Sequence, residues 1–189
     1  VRNPERRTAL VDAAIEVLAR DGARGLTFRA VDTEAAVPNG TASNYFANRD
    51  DLLNQVGAHI HLRLAVDPSK VATTSELPSS RERLTELMQA LFQHISGDRT
   101  GWLALVELRM EATRRPELRA ALTSTLRDNL NLNVEGHRAS GLPGDDMTTV
   151  LLYYAMTGLI LEHLTVPDAL TGYDENDLIA TFVTRALAH

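Results

Sequence analysis

The chain of 189 residues contains no cysteine. A disulfide framework, a thiolate-ligated zinc site and a thiol nucleophile are all excluded by that absence. Aromatic residues amount to 5%, and Trp102 is the single tryptophan. Lysine is nearly missing too, since Lys70 stands alone among 19 Lys and Arg. Those 19 cations face 25 acids, a net charge of −6. No bulk positive field can draw in a nucleic acid, so any such binding needs a local surface. Residues 1–64 are nevertheless neutral overall, and the whole acidic excess lies beyond them. Long apolar runs are absent as well. The densest stretch, Val150–Leu164, is too short to span a bilayer and contains Glu162 and His163. The segment Val1–Arg7 holds three arginines and no apolar run, so no signal peptide is expected there. Together with the missing cysteine, this gives the expectation of a cytoplasmic protein with no membrane partner.

Catalytic patterns are missing in the same way. There is no P-loop, no G-x-S-x-G and no Rossmann glycine pattern. His59 and His61 are two apart on a helix and point to different faces. His94, His137 and His163 are scattered, without carboxylates at a metal-ligand spacing. Glu107 and Glu111 lie one turn apart, but Glu111 with Arg115 at i, i+4 reads as a surface ion pair. The expectation is no enzyme, no metal and no cofactor.

What is present is a helical period. Apolar residues make up 44% of the chain. Leu10, Val11, Ala14, Ile15 and Leu18 form a first stripe, ended by Asp21-Gly22. Thr27 is a good N-cap for a second helix, Pro38 suits the start of a short third, and Asn48 caps a fourth with Asp50 and Asp51 in its first turn. Residues 67–79 read as a loop and as the best boundary candidate. Ser79-Ser80-Arg81-Glu82 matches a capping box ahead of the stripe Leu84, Leu87, Met88, Leu91, Phe92 and Ile95. Further helices are expected over 102–115, from Pro116 onward, over 146–164 and over 177–187. No segment alternates with period two, so the fold is expected to be all-α.

Residues 26–53 read LTFRAVDTEAAVPNGTASNYFANRDDLL. Two short helices around a tight turn, the second rich in small and polar residues, fit a helix-turn-helix that places its second helix in the major groove. Gly40 lets backbone approach DNA closely. Asn39, Ser43 and Asn44 have the length and polarity for base edges. Thr41, Tyr45 and Arg49 can reach phosphates. The competing reading is a tight hairpin in an ordinary bundle, in a helical small-molecule-binding protein or an enzyme without a DNA role. Agreement at many spaced positions favours the DNA reading.

At these residues the chain resembles the tetracycline-repressor (TetR) family of bacterial transcription regulators. The resemblance rests on Thr27, Arg29, Val31, Ala35, Val37, Gly40, Thr41, Tyr45-Phe46, Arg49 and Asp51-Leu52-Leu53, and it covers about residues 6–60. Three positions depart from the pattern. Ala36 stands where glycine is usual, Asp32 where alanine is frequent, and Ser43 where an aromatic residue is frequent. Asp32 is expected to pair with Arg29 or to cap locally. The resemblance implies a homodimer that binds a palindromic DNA operator and releases it when a small-molecule effector enters the C-terminal part. The architecture implied is an N-terminal three-helix helix-turn-helix domain, residues 1–47, and a helical ligand-binding and dimerisation domain, residues 48–189. Expected DNA contacts are Thr27, Arg29, Pro38, Asn39, Gly40, Thr41, Ser43, Asn44, Tyr45 and Arg49. Met88, Phe92, Trp102, Leu105, Met110, Tyr153 and Met156 sit on helices that surround a pocket by resemblance, with Glu107, Asn133 and His137 as polar anchors. Adaptable apolar pockets do use Met and aromatic residues.

Val150–Leu164 is apolar on nearly all sides and must be covered on nearly all sides. The stripe Leu178, Ile179, Phe182, Val183, Ala186 and Leu187 is similarly broad. By resemblance these two helices pair with their copies, and a dimer interface is expected at Val150, Leu159, His163, Leu178, Phe182, Val183 and Leu187.

Overall fold

The computed structural model describes residues 3–64 and 79–188. The expected loop at 67–79 lies almost wholly outside them. Among the described residues there are nine α-helices and no strand: α1 (Pro4–Gly25), α2 (Phe28–Glu34), α3 (Thr41–Tyr45), α4 (Arg49–Leu64), α5 (Arg81–Gly97), α6 (Arg99–Ala112), α7 (Pro116–Ser140), α8 (Asp146–Thr165) and α9 (Glu175–Ala186). A 3-10 turn, Pro167–Leu170, follows α8.

The caps explain most of the boundaries. Asn3 accepts from the N–H of Glu5 at 2.9 Å ahead of Pro4, Thr27 from Ala30 at 3.1 Å, and Asn48 from Asp51 at 2.8 Å. Several boundaries differ from the sequence reading, among them α9, which starts at Glu175 rather than 177, and α6, which ends at Ala112 rather than 115. α3 starts at Thr41 rather than Pro38, because Pro38 and Asn39 form a turn whose Pro38 carbonyl accepts from the Thr41 N–H at 3.1 Å. Ser80, not Ser79, caps α5, through the Arg83 N–H at 3.2 Å. α6 begins three residues early because Asp98 caps it through the Gly101 N–H at 3.0 Å. Gly22, at φ 68°, does break α1, but one further turn follows it to Gly25.

The chain forms two compact units. The first takes in the described residues through Leu64 together with 98–125. Its centre is the buried face of α1 (Leu10, Ala14, Ile15, Leu18), packed against α2, α4 and α6. Gly57 brings α4 close enough that a Cβ there would stand 3.3 Å from the Leu122 side chain. The second unit takes in the described part of 79–97 and 126–188, where α5, α8 and α9 pack together. Leu84, Leu152, Val183 and Ala186 form its core, flanked by Met88, Leu142, Phe182 and Leu187. Buried Thr148 ties α8 to α9 by donating to the Ala186 carbonyl at 3.2 Å.

Candidate nucleic-acid interface

The turn between α2 and α3 is built by backbone first. Val37 N–H donates to the Asp32 carbonyl at 3.0 Å and Ala36 N–H to the Thr33 carbonyl at 3.1 Å. This pair of bonds is a Schellman motif, which places its C′ residue in the left-handed region. That residue is Ala36, at φ 51°, the only non-glycine residue with positive φ among those described. The turn therefore keeps the geometry that usually calls for glycine, although a Cβ is present.

α3 is then held at both ends. At its start, the buried Asp32 carboxylate accepts from the N–H groups of Gly40 and Ala42, each at 2.7 Å. Of the two expectations for Asp32, the local cap is the one formed. At its end, Arg7 donates to the Tyr45 carbonyl at 3.0 Å and lies 5.6 Å from the Phe46 ring centroid. A cation at a helix C-terminus has the favourable sign for the helix dipole. Below, Ala42 and Phe46 are buried, and Phe46 stacks on Phe28 at 6.5 Å.

The face opposite Ala42 is open. Asn39, Gly40, Ser43 and Asn44 are exposed, as are Thr27, Arg29 and Pro38, while Thr41 and Tyr45 are half-buried. Local bonds orient these side chains. Thr41 donates to the Pro38 carbonyl at 2.5 Å, Ser43 to the Gly40 carbonyl at 2.8 Å, and Asn44 to the same carbonyl at 3.0 Å. Asn44 keeps its amide oxygen and one N–H beyond that bond.

Arg49 is more committed than the sequence suggested. It donates to the carbonyls of Leu26, at 3.3 Å, and Ala23, and stands 3.8 Å from Glu111. With Thr27 it also lines an open cavity of about 310 Å³ shared with Arg24, Leu26, Phe28 and Leu52. Glu111 does pair with Arg115, at 2.6 Å, but it is buried rather than on the surface. Arg115, foremost among its neighbours, holds the Glu111 carboxyl below the usual range, with Arg114 adding to this against the opposing effect of burial. Arg115 reaches Asp50 as well, at 2.6 Å, so the start of α4 is fastened to the end of α6.

Residues expected in a pocket fall in both units. In the first, Trp102 and Leu105 are buried, Met110 is exposed, and Glu107 accepts from the Ala23 N–H at 3.3 Å, beside the Gly22 kink. In the second, Phe92 and Met156 are buried, Met88, His137 and Tyr153 are half-buried, and Asn133 is exposed. Of the residues expected at a dimer interface, Val183 and Leu159 are already buried within the chain, while Val150, His163, Leu178, Phe182 and Leu187 are half-buried. α8 instead exposes Met147, Leu151, Tyr154 and Leu161. With exposed Gly158 and Thr165 these recur at alternating spacings of four and three, the period of a helix-pairing seam. Among the described residues no group of side chains could hold a metal ion, and no helix is long and apolar enough to cross a membrane.

A short helix-turn-helix whose second helix presents an exposed polar face is the arrangement of a DNA-binding motif. Residues 10–56 match the family described as bacterial regulatory proteins, tetR family, and residues 79–189 match the tetracyclin repressor-like C-terminal domain. The chain belongs to the TetR family and is a regulator rather than an enzyme. It is similar to the HTH-type transcriptional regulator BetI of Rhizobium meliloti, at 32% identity over 149 residues, 76% of this chain and 69% of that protein. It is similar also to the nicotine-responsive transcriptional repressor HdnoR of Paenarthrobacter nicotinovorans, at 29% over 112 residues. That alignment spans 59% of this chain and 57% of HdnoR, so the match reaches little more than half of that relative. Among solved structures, the multidrug binding protein EbrR complexed with ethidium has a TM-score of 0.68 at 30% identity, covering 98% of this chain and 99% of that one. A TetR-family member from Streptomyces coelicolor A3, SCO1917, has a TM-score of 0.71 at 29% identity, covering 98% and 100%.

Proposed function

We propose that this chain is a ligand-responsive repressor. It binds a palindromic operator as a homodimer and leaves it when a small apolar or amphipathic molecule binds. The observation that carries the reading is the pinned, outward-facing α3. Its exposed Ser43 and Asn44, with Asn39 before it, are of a length suited to base edges, while Thr41, Tyr45 and Arg49 serve phosphates. Residues 1–47 form the reading part and 48–189 the remainder. The second copy packs on the α8 seam, because reading two half-sites calls for two-fold symmetry. HdnoR is nicotine-responsive and EbrR is a multidrug binding protein, which supports an effector of this chemical kind. The buried Trp102 is proposed to lie in the wall that senses it, with Leu105, about one turn further along α6, as an apolar neighbour.

The test has two parts. A duplex selected by the protein from a random pool is shifted in a gel at several salt concentrations, with a scrambled duplex beside it. Tight binding of the selected duplex and weak binding of the scrambled one is expected. Equal binding of both, or of neither, overturns the operator reading. The emission of Trp102 is then followed in the protein alone as small aromatic amines, nicotine among them, are added. A compound that releases the duplex should also shift that emission, and release without a shift removes Trp102 from the wall.

A further inference from the structure

Asp32 acts on both sides of the turn. Its backbone carbonyl closes the Schellman motif at the end of α2, and its side chain, 1% exposed as a residue, caps the start of α3. An N-cap side chain ordinarily supplies that acceptor from the cap position itself. Here the cap is Gly40, which has no side chain, and Asp32 supplies the acceptor from eight residues earlier. Its two oxygens take two different N–H groups, those of Gly40 and Ala42, both at 2.7 Å. One bond would leave the start of α3 free to turn about it, whereas two bonds to different donors, with Arg7 on the Tyr45 carbonyl at the other end, fix its direction.

The charge of Asp32 argues in the same direction. A carboxylate buried just beneath a surface that meets phosphates still opposes the binding of DNA of any sequence. A gain in placement can offset that opposition only where placement matters, which is base reading. We propose that Asp32 is a positioning residue for operator discrimination, setting the angle at which Ser43 and Asn44 meet the major groove. This rests on the operator reading above. A wild-type protein that selects no duplex from the pool sinks that reading, whereas the comparison below sinks this one alone.

The experiment compares the wild-type protein with D32N and D32A on the selected and scrambled duplexes. Asn preserves the shape but turns an NH2 group toward one of the two N–H donors. Affinity for the selected duplex should fall about tenfold or more, the size expected when a base contact is lost. Affinity for the scrambled duplex should hold or rise as the negative charge is removed. Amide exchange should show Gly40 and Ala42 losing protection while Leu10 and Ile15 in α1 keep theirs. A merely structural role predicts that both duplexes weaken together, and that result overturns the proposal. Unchanged discrimination in D32N overturns it as well. Global unfolding of both variants also counts against it, since Asp32 would then support the whole unit rather than set α3.

Discussion

Single residues decide the quality of the reading head, and Ala36 is the clearest of them. An L-residue held at a φ of 51° carries strain of roughly 1 kcal/mol that glycine does not. The extra unfolded-state freedom of glycine takes back part of this, so Ala36→Gly should stabilise by about 0.5 kcal/mol and raise the melting temperature by about 1–2 °C. Operator affinity should hold in the same variant, because the Schellman turn is preserved. A lower melting temperature overturns the account. Arg49 poses the opposite case, a residue with two duties. Its bonds to the carbonyls of Ala23 and Leu26 occupy two of its five N–H donors. Nη1 faces Glu111 at 3.8 Å, which leaves the second N–H of Nη2 for phosphate, so Arg49→Ala should weaken selected and scrambled duplexes alike and flatten the salt slope by about one. The melting temperature should fall with it, since the α1–α2 junction loses its anchor. An unchanged slope confines Arg49 to the fold.

Elements show where sequence was readable and where it was not. The caps at Thr27 and Asn48, the break at Gly22 and the helix-turn-helix were legible because each depends on neighbours within four residues or on closely spaced positions. The partners that pin α3 were not. Arg7 reaches the Tyr45 carbonyl across 38 residues, and nothing in the spacing of an arginine on α1 announces it. Asp32 was visible as an oddity, but the two N–H donors it accepts from could be assigned only once the turn brought Gly40 and Ala42 beneath it. α8 is the third instance. A helix apolar on every side has no periodic cue to separate its core face from its partner face. The sequence thus offered Leu159, which the chain's own core takes, while Leu151, Tyr154 and Leu161 remain exposed. The consequence can be tested directly. Tyr154→Arg, at a position 64% exposed in the single chain, should leave each chain folded and break the proposed dimer by placing a charge in the proposed seam. Light scattering of the variant should give the mass of one chain, 20.7 kDa, against twice that for the wild type. A variant that remains dimeric moves the interface off this face.

At the scale of the whole molecule, two groups make the fold less stable in acid. Burial, and then the charge of Arg109, pushes His61 below its ordinary value of 6.5. The unfolded chain takes up that proton near pH 6.5 and the folded one does not, so the contribution is complete above that pH and declines as pH falls through the window beneath it. Glu111 adds a second loss lower down, because a carboxyl held below 4.5 by Arg115 stabilises the fold only while it is ionised. Melting temperature should therefore fall from pH 7 to pH 5.5, and His61→Asn should flatten that part of the profile without altering the steeper fall below 4.5. A His61→Asn profile parallel to the wild type assigns the upper limb to another group.

The left-handed alanine and the carboxylate beside it also bear on the order in which such a turn can change over generations. A chain with glycine at position 36 holds its turn unaided, and alanine there weakens it. Asp32 lends the turn a second hold, so a lineage that acquires aspartate first can accept alanine next, while the reverse order passes through a turn with neither support. The four combinations of Asp or Ala at 32 with Ala or Gly at 36 make this measurable. The D32A change should be more damaging beside Ala36 than beside glycine, a coupling of the size seen between contacting residues, about 0.5 kcal/mol or more. Equal damage in both backgrounds means the two positions changed independently.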